Sequence, residues 1–269
     1  MVVLNQTQVE TSAATDIGLR RTLNEDSMAI TQSPEPELRD KGVVLVLADG
    51  LGGYNAGEVA SNLVTSKLPE FYFAGSKGDC ASDLAEAVKA CNSVVHETSL
   101  ISKELQGMGS TVVAAVIVNR YVIFANIGDS RGYLFRNRVT LHRTRDHSLN
   151  DAGMDVHGLG LRSRLSHVLT RAIGPKPEVL VDLTTHGIAT GDIILLCSDG
   201  LTDCVTEEEI KHIVYTNPLM TASQYLVDLA KERKSTDNIS VVLAAVTAVS
   251  VGELDDDAHR ARSIKYLVL

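Results

Sequence analysis

The stretch VVLVLADGLGGYNAGEVAS, residues 43–61, passes from an apolar segment through Asp-Gly-Leu-Gly-Gly into a segment with helical spacing. An unbroken apolar run that ends at Asp49 is typical of a buried β-strand. At this point Asp49 has three possible interpretations. It could belong to a glycine loop that cradles phosphate, it could bind a metal ion, or it could simply begin a tight turn.

The composition of the chain limits its fold and its partners. The 269 residues are 44% hydrophobic and 22% charged, which is enough for one compact domain with a substantial core. A net charge of -9 opposes broad attraction to nucleic acids or anionic membranes. No run approaches the ~18 apolar residues of a membrane span, and the N-terminus lacks a signal-peptide pattern. We therefore expect a cytoplasmic monomer that binds neither nucleic acid nor membrane.

The cysteines do not suggest a structural metal or a disulfide framework. They fall in no CxxC or Cys/His zinc spacing, and they are few for a chain of this length. We expect reduced thiols in or near the core at Cys80, Cys91, Cys197 and Cys204.

The hydrophobic pattern predicts an α+β fold. Runs of β-branched and apolar residues predict strands at 42–49, 110–118, 121–129, 131–136, 191–199 and 238–246. Helical spacing predicts helices at 56–69, 81–105 and 222–234, and Thr206 is a predicted N-cap of another. Successive strands joined by short turns favour antiparallel sheets flanked by helices.

Acidic residues recur where the predicted strands begin or end. Asp49 and Asp199 each close a strand and are followed by Gly-Leu, whereas Asp237 precedes the last strand. If that strand runs antiparallel to the other two, all three carboxylates meet at one edge. Asp129 and the pair Glu25-Asp26 also lie at strand edges.

A cluster of carboxylates is costly unless cations compensate its charge. Oxygen ligands without Cys or His favour a hard cation, Mg²⁺ or Mn²⁺, over zinc. The glycines after Asp49 permit a sharp turn, which would let a main-chain carbonyl join the site.

The competing glycine-loop interpretations fail on spacing. A P-loop needs GxxxxGK[ST], which does not occur. The glycines of segment 50–57 miss the GxGxxG spacing of a dinucleotide site, and no GxSxG nucleophile motif is present.

Together these motifs resemble a known family. The ordered set RTLNEDS, LADGLGG, MGSTVVAAV, ANIGDSRGYL, LTRAIGP, LLCSDGLTD and STDNISVVL is similar to the bacterial branch of the metal-dependent, type 2C protein serine/threonine phosphatases. The resemblance covers about residues 8 to 248. It implies a four-layer α-β-β-α sandwich, with two antiparallel sheets flanked by helix pairs.

The resemblance also implies the roles of individual residues. Asp49 would bridge two Mg²⁺ or Mn²⁺ ions, with the Gly50 carbonyl on one ion and Asp199 and Asp237 on the other. The remaining implied roles are metal contacts, direct or through water, for Glu25 and Asp26, a third and weaker ion at Asp129 with Asp199, and phosphate binding by Arg21.

The implied reaction is hydrolysis of phosphoserine and phosphothreonine in proteins. A hydroxide that bridges the two ions would attack phosphorus in line with the leaving oxygen. The expected partners are phosphorylated targets of a bacterial Ser/Thr kinase. A non-catalytic scaffold and a phosphatase for small phosphorylated molecules remain as alternatives.

Three features depart from the family pattern or lie outside it. Leu51 and Tyr54 stand where relatives often keep a histidine proposed as the general acid, and His147 is a weaker candidate for that role than for a structural one. The polar segment 144–170 is expected to form a flap beside the site, within a catalytic domain spanning 1–248. Residues 249–269 form a tail that the resemblance does not cover.

Overall fold

The computed structural model of the protein describes residues 6–33, 40–51, 56–76, 78–149 and 168–250. The strands within these ranges are β1 (Gln8–Asp16), β2 (Asp26–Gln32), β3 (Val43–Leu51), β4 (Gly109–Ser110), β5 (Val112–Val118), β6 (Tyr121–Ile127), β7 (Arg131–Arg136), β8 (Val139–Arg143), β9 (Asp182–Gly187), β10 (Ile193–Cys197) and β11 (Ile239–Ala248). The helices are α1 (Gly57–Ala74), α2 (Cys80–Ser99), α3 (Asp199–Thr202), α4 (Glu207–Thr216) and α5 (Leu219–Glu232).

The described strands form two antiparallel sheets. Sheet A has the order β1-β11-β10-β7-β8, and sheet B has the order β2-β3-β5-β6-β9. The short strand β4 pairs with the end of β3. Because β10 and β11 are antiparallel neighbours, the end of β10 and the beginning of β11 lie at the same edge of sheet A.

The layers follow from strands that are buried on both faces. Along β3, Val44 and Val46 pack in a cluster with α1 and α2, whereas Leu45 and Leu47 pack between the sheets. A second cluster of buried apolar side chains packs α4 and α5 against the outer face of sheet A. Since successive strand residues point to opposite faces, a continuous apolar run supplies both packing surfaces at once. The four-layer sandwich and the α+β class are therefore confirmed.

The predicted central strands and helices are present, but several boundaries differ. Helix α1 continues past Pro69 to Ala74 instead of ending at 69, because Tyr72 is fully buried and its hydroxyl donates to the Lys41 carbonyl at 2.8 Å. Helix α2 ends at Ser99 instead of 105, since Leu100 and Ile101 are exposed and gain no burial.

The predicted N-cap and cysteine states are also confirmed. Thr206 forms a reciprocal capping box with Glu209 at the start of α4. All four cysteines are free thiols, two of them buried and two partly buried. None of the described helices is long and apolar enough to cross a membrane.

A buried lysine joins the two helices that cover sheet B. The Lys41 ammonium donates to the Tyr72 and Gly75 carbonyls at 2.8 and 2.9 Å, near the C-terminal end of α1. It also pairs with the Asp83 carboxylate of α2 at 2.9 Å, and both side chains are at most 10% exposed. One cation thus satisfies two helix-end carbonyls and one buried carboxylate.

We predict that Lys41→Met lowers the free energy of unfolding by about 3 kcal/mol or more, because Asp83 would keep a buried charge without its partner. The measurement is urea unfolding at neutral pH. The matched control is Lys67→Met, whose ion pair with Glu70 is exposed and should be worth less than about 1 kcal/mol. Equal losses in the two variants would contradict a special role for Lys41.

Two histidines stack between the outermost strands of the two sheets. The rings of His142 on β8 and His186 on β9 have centroids 4.1 Å apart. The His142 Nε2 atom and the Thr184 hydroxyl are 2.9 Å apart. Burial lowers the pKa of His142 to about 4, with a further contribution from the charge of His186, and burial also lowers the pKa of His186. The pair is therefore neutral at pH 7.

This pair should make folding stability depend on mildly acidic pH. The unfolded state takes up a proton on His142 near pH 6.5, whereas the folded state resists protonation to about pH 4, so stability falls as the pH drops through this window. We predict that lowering the pH from 6.5 to 4 reduces the free energy of unfolding of wild type more than that of His142→Phe. Urea unfolding over this range tests this, with His212→Phe on the exposed face of α4 as control.

Candidate active site

The backbone at Asp49 is held on both sides by Ser110, the last residue of β4, and by Thr111, which separates β4 from β5. The Asp49 amide donates to the Thr111 hydroxyl at 2.9 Å. Its carbonyl accepts from the Thr111 amide at 2.8 Å and from the Ser110 hydroxyl at 3.0 Å. These bonds keep Asp49 in the strand, which continues to Leu51 instead of turning directly after Asp49.

Gly50 is required by close approach of three backbone segments. Its amide donates to the Glu25 carbonyl at 3.0 Å. A Cβ atom at Gly50 would lie 2.2 Å from the Gly57 carbonyl oxygen and 2.8 Å from that of Glu25. Gly50 is therefore a paired strand residue opposite Ser110 and not part of a sharp turn, and the other glycines of that predicted turn, Gly52 and Gly53, lie outside the described residues.

Asp199 and Asp237 meet at one edge of sheet A, as predicted from the antiparallel arrangement. Asp199 begins α3 directly after β10, and Asp237 lies two residues before β11. A Cβ atom at Gly200 would lie 2.0 Å from the Asn238 carbonyl oxygen and 3.5 Å from the Asp237 side chain. The glycine in the SDGL motif thus lets the two acidic segments touch.

Asn238 is a site residue that the sequence did not single out. Its Oδ1 accepts from the Glu25 amide at 2.9 Å, and its Nδ2 donates to the Ile17 and Leu23 carbonyls at 2.9 and 3.0 Å. These bonds fasten the loop that carries Arg21 and Glu25 to the beginning of β11. The only sequence signal was its position directly after Asp237.

Asp26 joins the cluster from sheet B, opposite Asp49 in the strand register. Its Oδ2 accepts from the Ser198 hydroxyl at 2.8 Å, and its buried Oδ1 accepts no hydrogen bond from the described residues. Burial raises the pKa of Asp26 to about 7, although the Ser240 and Ser198 hydroxyls act in the opposite direction.

The electrostatic state of Asp49 reflects acids from both sheets. Burial raises the pKa of Asp49 well above its usual range, and the neighbouring charges raise it further. These charges belong to Asp26, Asp199, Asp237 and Asp129. Burial likewise raises the pKa of Glu25. The arrangement is one that a bound cation would stabilise.

Arg21 lies at the outer side of this cluster. Its Nη2 donates to Asp237 Oδ2 at 2.6 Å, and its Nη1 lies 3.8 Å from Glu25 Oε2. The hydrogen bond to Asp237 raises the pKa of the guanidinium, so its positive charge is secure. The Arg21 side chain is 46% exposed and can also meet a ligand from solvent.

The donor set fits a hard divalent cation. Among the described residues, no three His, Cys, Asp or Glu side chains form a ready-made metal cage. The converging side chains nevertheless offer only oxygen atoms, and Asp26 Oδ1 is a buried acceptor that no described group satisfies. Oxygen donors of this kind suit Mg²⁺ or Mn²⁺.

His147 is engaged structurally. Its Nδ1 accepts from the Gly128 amide at 3.1 Å, and its Nε2 lies 3.0 Å from Asp182 Oδ2. With both ring nitrogens hydrogen-bonded and the side chain 4% exposed, His147 has no free ring nitrogen with which to act as a general acid. Of the two positions where relatives often keep a histidine, Leu51 is apolar and Tyr54 lies outside the described residues.

The described ends of the predicted flap pair with each other. Ser148 and Leu169 form an antiparallel bridge, and the Leu149 amide donates to the Val168 carbonyl at 3.0 Å. The middle of the segment, 150–167, and the tail from 251 lie outside the described residues.

Comparisons with known proteins agree with this geometry. A profile of the family Protein phosphatase 2C matches residues 12–239. The serine/threonine phosphatase stp of Listeria monocytogenes is 34% identical over 242 residues, which cover 85% of this chain and 92% of the relative. The serine/threonine phosphatase Stp1 of Staphylococcus aureus has a solved structure with a TM-score of 0.79 and 31% identity, covering 90% of this chain and 96% of that one.

A second solved structure bears on the metal. The catalytic domain of the serine/threonine protein phosphatase PstP, in complex with two manganese ions, aligns with a TM-score of 0.76 and 34% identity. The alignment covers 89% of this chain and 98% of that one. The chain therefore belongs to the protein phosphatase 2C family, and its activity is that of a metal-dependent serine/threonine protein phosphatase.

Proposed function

We propose that Asp49, the Gly50 carbonyl, Asp199 and Asp237 hold two Mg²⁺ or Mn²⁺ ions at the edge where the two sheets meet. The observation that carries this proposal is the convergence of carboxylates from both sheets: Asp26 lies opposite Asp49 across β2 and β3, and Asp199 and Asp237 meet where β10 ends and β11 begins. When bound, the cations supply Lewis acidity that activates water and neutralises phosphate charge.

The surrounding residues complete the proposed metal site. Glu25 and Asp26 contribute at its sheet B side, directly or through water. The Ser198 hydroxyl donates to Asp26 Oδ2 and leaves the buried Oδ1 free to accept. Asp129, whose charge also acts on Asp49, is proposed to hold a third and weaker ion together with Asp199.

Arg21 is proposed to bind the substrate phosphate. A guanidinium has a planar fork that can engage two phosphate oxygens, and its charge opposes the negative charge of the transferring group. The contacts with Asp237 and Glu25 orient this fork beside the proposed metals, while its exposure lets it meet a phosphorylated side chain from solvent.

The proposed substrates are proteins phosphorylated by a bacterial Ser/Thr kinase, and the proposed setting is a cytoplasmic monomer. The relatives named above are serine/threonine phosphatases. A non-catalytic scaffold would be expected to lose part of its metal set, whereas Asp49, Asp199 and Asp237 are all present. A small phosphorylated molecule remains the alternative substrate, and side-by-side rates on a phosphothreonine peptide and p-nitrophenyl phosphate distinguish the two.

We predict that Asp199→Asn weakens Mn²⁺ binding by about 10- to 100-fold or more. A loss of about 10- to 100-fold is typical even when the replaced residue contacts a metal ligand and not the metal itself. Hydrolysis of a phosphothreonine peptide should fall in parallel, and a chelator should abolish it in wild type. The measurements are calorimetric Mn²⁺ titration and phosphate release. Asp228→Asn removes an equal charge from the exposed face of α5, where Asp228 Oδ1 accepts from Gln224 Nε2 at 3.0 Å, and it should behave as wild type. Full activity in chelator would refute the metal mechanism.

We predict that Arg21→Ala lowers kcat/KM by about 10- to 100-fold, the equivalent of one or two lost charged hydrogen bonds. The loss should appear mainly in KM, while calorimetric Mn²⁺ binding persists. Arg20→Ala is the matched control, since Arg20 is an exposed neighbour of the same charge. Unchanged steady-state kinetics in Arg21→Ala would remove this residue from the site.

A further inference from the structure

A chain of side-chain contacts links the Gly128-Asp129 turn to the base of segment 144–170. Three residues that are distant in sequence form it: His147, Arg171 and Asp182. None of them belongs to the acidic cluster, and the proposed reaction assigns them no part.

The contacts begin at Gly128, directly before Asp129. The His147 amide donates to the Gly128 carbonyl at 2.8 Å, and the Gly128 amide donates to His147 Nδ1 at 3.1 Å. Gly128 has a φ of +106°, and a Cβ atom there would lie 2.6 Å from the Thr111 side chain. His147 therefore fixes both polar groups of a residue whose backbone has little freedom to adjust.

The hydrogen bonds define which tautomer of His147 is present. Because Nδ1 accepts a hydrogen bond, the proton of the neutral ring is on Nε2, from which it is donated to Asp182 Oδ2 at 3.0 Å. The other carboxylate oxygen, Asp182 Oδ1, accepts from Arg171 Nη1 at 2.6 Å. Both oxygens of Asp182 therefore accept hydrogen bonds from groups that, in this tautomer, can only donate.

The same histidine also anchors the return of segment 144–170. Its carbonyl accepts from the Thr170 amide at 2.8 Å, next to Arg171 in the chain. Ile173, two residues after Arg171, forms an antiparallel β-bridge with Ser110, whose hydroxyl donates to the Asp49 carbonyl. His147 therefore links the segment to the Asp129 turn directly, and to Asp49 in β3 through residues 170–173 and Ser110.

We infer that His147, Asp182 and Arg171 form a positioning relay that fixes the Asp129 turn for metal binding. Asp182 selects the ring tautomer, the ring holds Gly128, and Gly128 sets the backbone from which the Asp129 carboxylate projects. The inference rests on the proposed role of Asp129 as a metal ligand. Replacing a residue that contacts a metal ligand but not the metal commonly weakens metal binding by about 10- to 100-fold.

The decisive variant is Asp182→Asn. An amide has one acceptor and one donor, so it must present its NH₂ group either to Arg171 or to the protonated Nε2 of His147. Because the charged guanidinium is the stronger donor, we expect it to keep the amide oxygen. The NH₂ group then faces Nε2 and drives the ring toward the tautomer that cannot accept from Gly128. We expect the weakest Mn²⁺-binding step in calorimetry to weaken about 10-fold or more, while kcat at saturating Mn²⁺ falls less.

The double variant Asp182→Asn/Arg171→Met tests the logic of the relay. Without the guanidinium, the amide oxygen can turn to the Nε2 proton and its NH₂ group can face solvent, since Asp182 is 44% exposed. We expect this double variant to bind Mn²⁺ more tightly than Asp182→Asn alone. Arg171→Met by itself should change Mn²⁺ affinity least of the three variants, and its Mn²⁺ affinity can still be measured if Asp182→Asn fails to fold.

Asp192→Asn is the matched control. Asp192 forms a similar Asp-Arg pair with Arg136, at 2.7 Å for both hydrogen bonds, and it lies at the opposite end of β10 from Asp199. This variant should lower the free energy of unfolding without changing Mn²⁺ affinity. An Asp182→Asn protein that loses stability but binds Mn²⁺ like wild type would overturn the relay and leave His147 with a structural role only.

A second readout does not depend on phosphatase activity. Nitrogen NMR of the His147 ring should detect the Nε2-protonated tautomer in wild type and its loss in Asp182→Asn. If wild type binds Mn²⁺ but hydrolyses no phosphopeptide, the proposed function fails while the calorimetry and NMR still test the relay. A wild-type ring protonated at Nδ1 would contradict the relay even in an active enzyme.

Discussion

The structure depends on bringing carboxylates from two sheets to one edge. Asp26 and Asp49 face each other across β2 and β3, and Asp199 and Asp237 arrive from sheet A. Their mutual repulsion and desolvation oppose this arrangement in the absence of cations. The fold supports it because Asp49, Asp199 and Asp237 lie within two residues of the ends of β3, β10 and β11, whose residues are mostly buried, so the apolar core sets the positions of these acids.

Close backbone approach is the second requirement of the site. At Gly50 and Gly200 a side chain would collide with the backbone of another segment, and at Gly18, with φ of +76°, a Cβ atom would lie 2.1 Å from the Asp237 carbonyl oxygen. Asn238 then adds hydrogen bonds that hold the Arg21 loop against β11. The proposed metal and phosphate groups are therefore adjacent because of backbone contacts between residues far apart in sequence.

Sequence reasoning succeeded for the buried strands and failed for the outer ones. The central strands β3, β5, β10 and β11 are long apolar runs, since both of their faces are covered. The strands β1, β2, β8 and β9 were missed because they lie at sheet edges, where partly exposed positions accept polar residues and the apolar pattern weakens. Helix α1 continues past Pro69 for a related reason, because the burial of Tyr72 outweighs the tendency of proline to interrupt a helix.

The sequence by itself determined the chemistry of this protein: oxygen ligands at strand ends, in an order that identifies the family. It also determined the fold class, because the alternation between buried strands and amphipathic helices is a local property of the chain. Only the tertiary structure decided that Gly50 serves a close approach instead of a turn, that Asn238 fastens the Arg21 loop, and that His147 holds Gly128. These roles depend on which distant segments meet, and hydrogen bonds between such segments leave no periodic signal in the sequence.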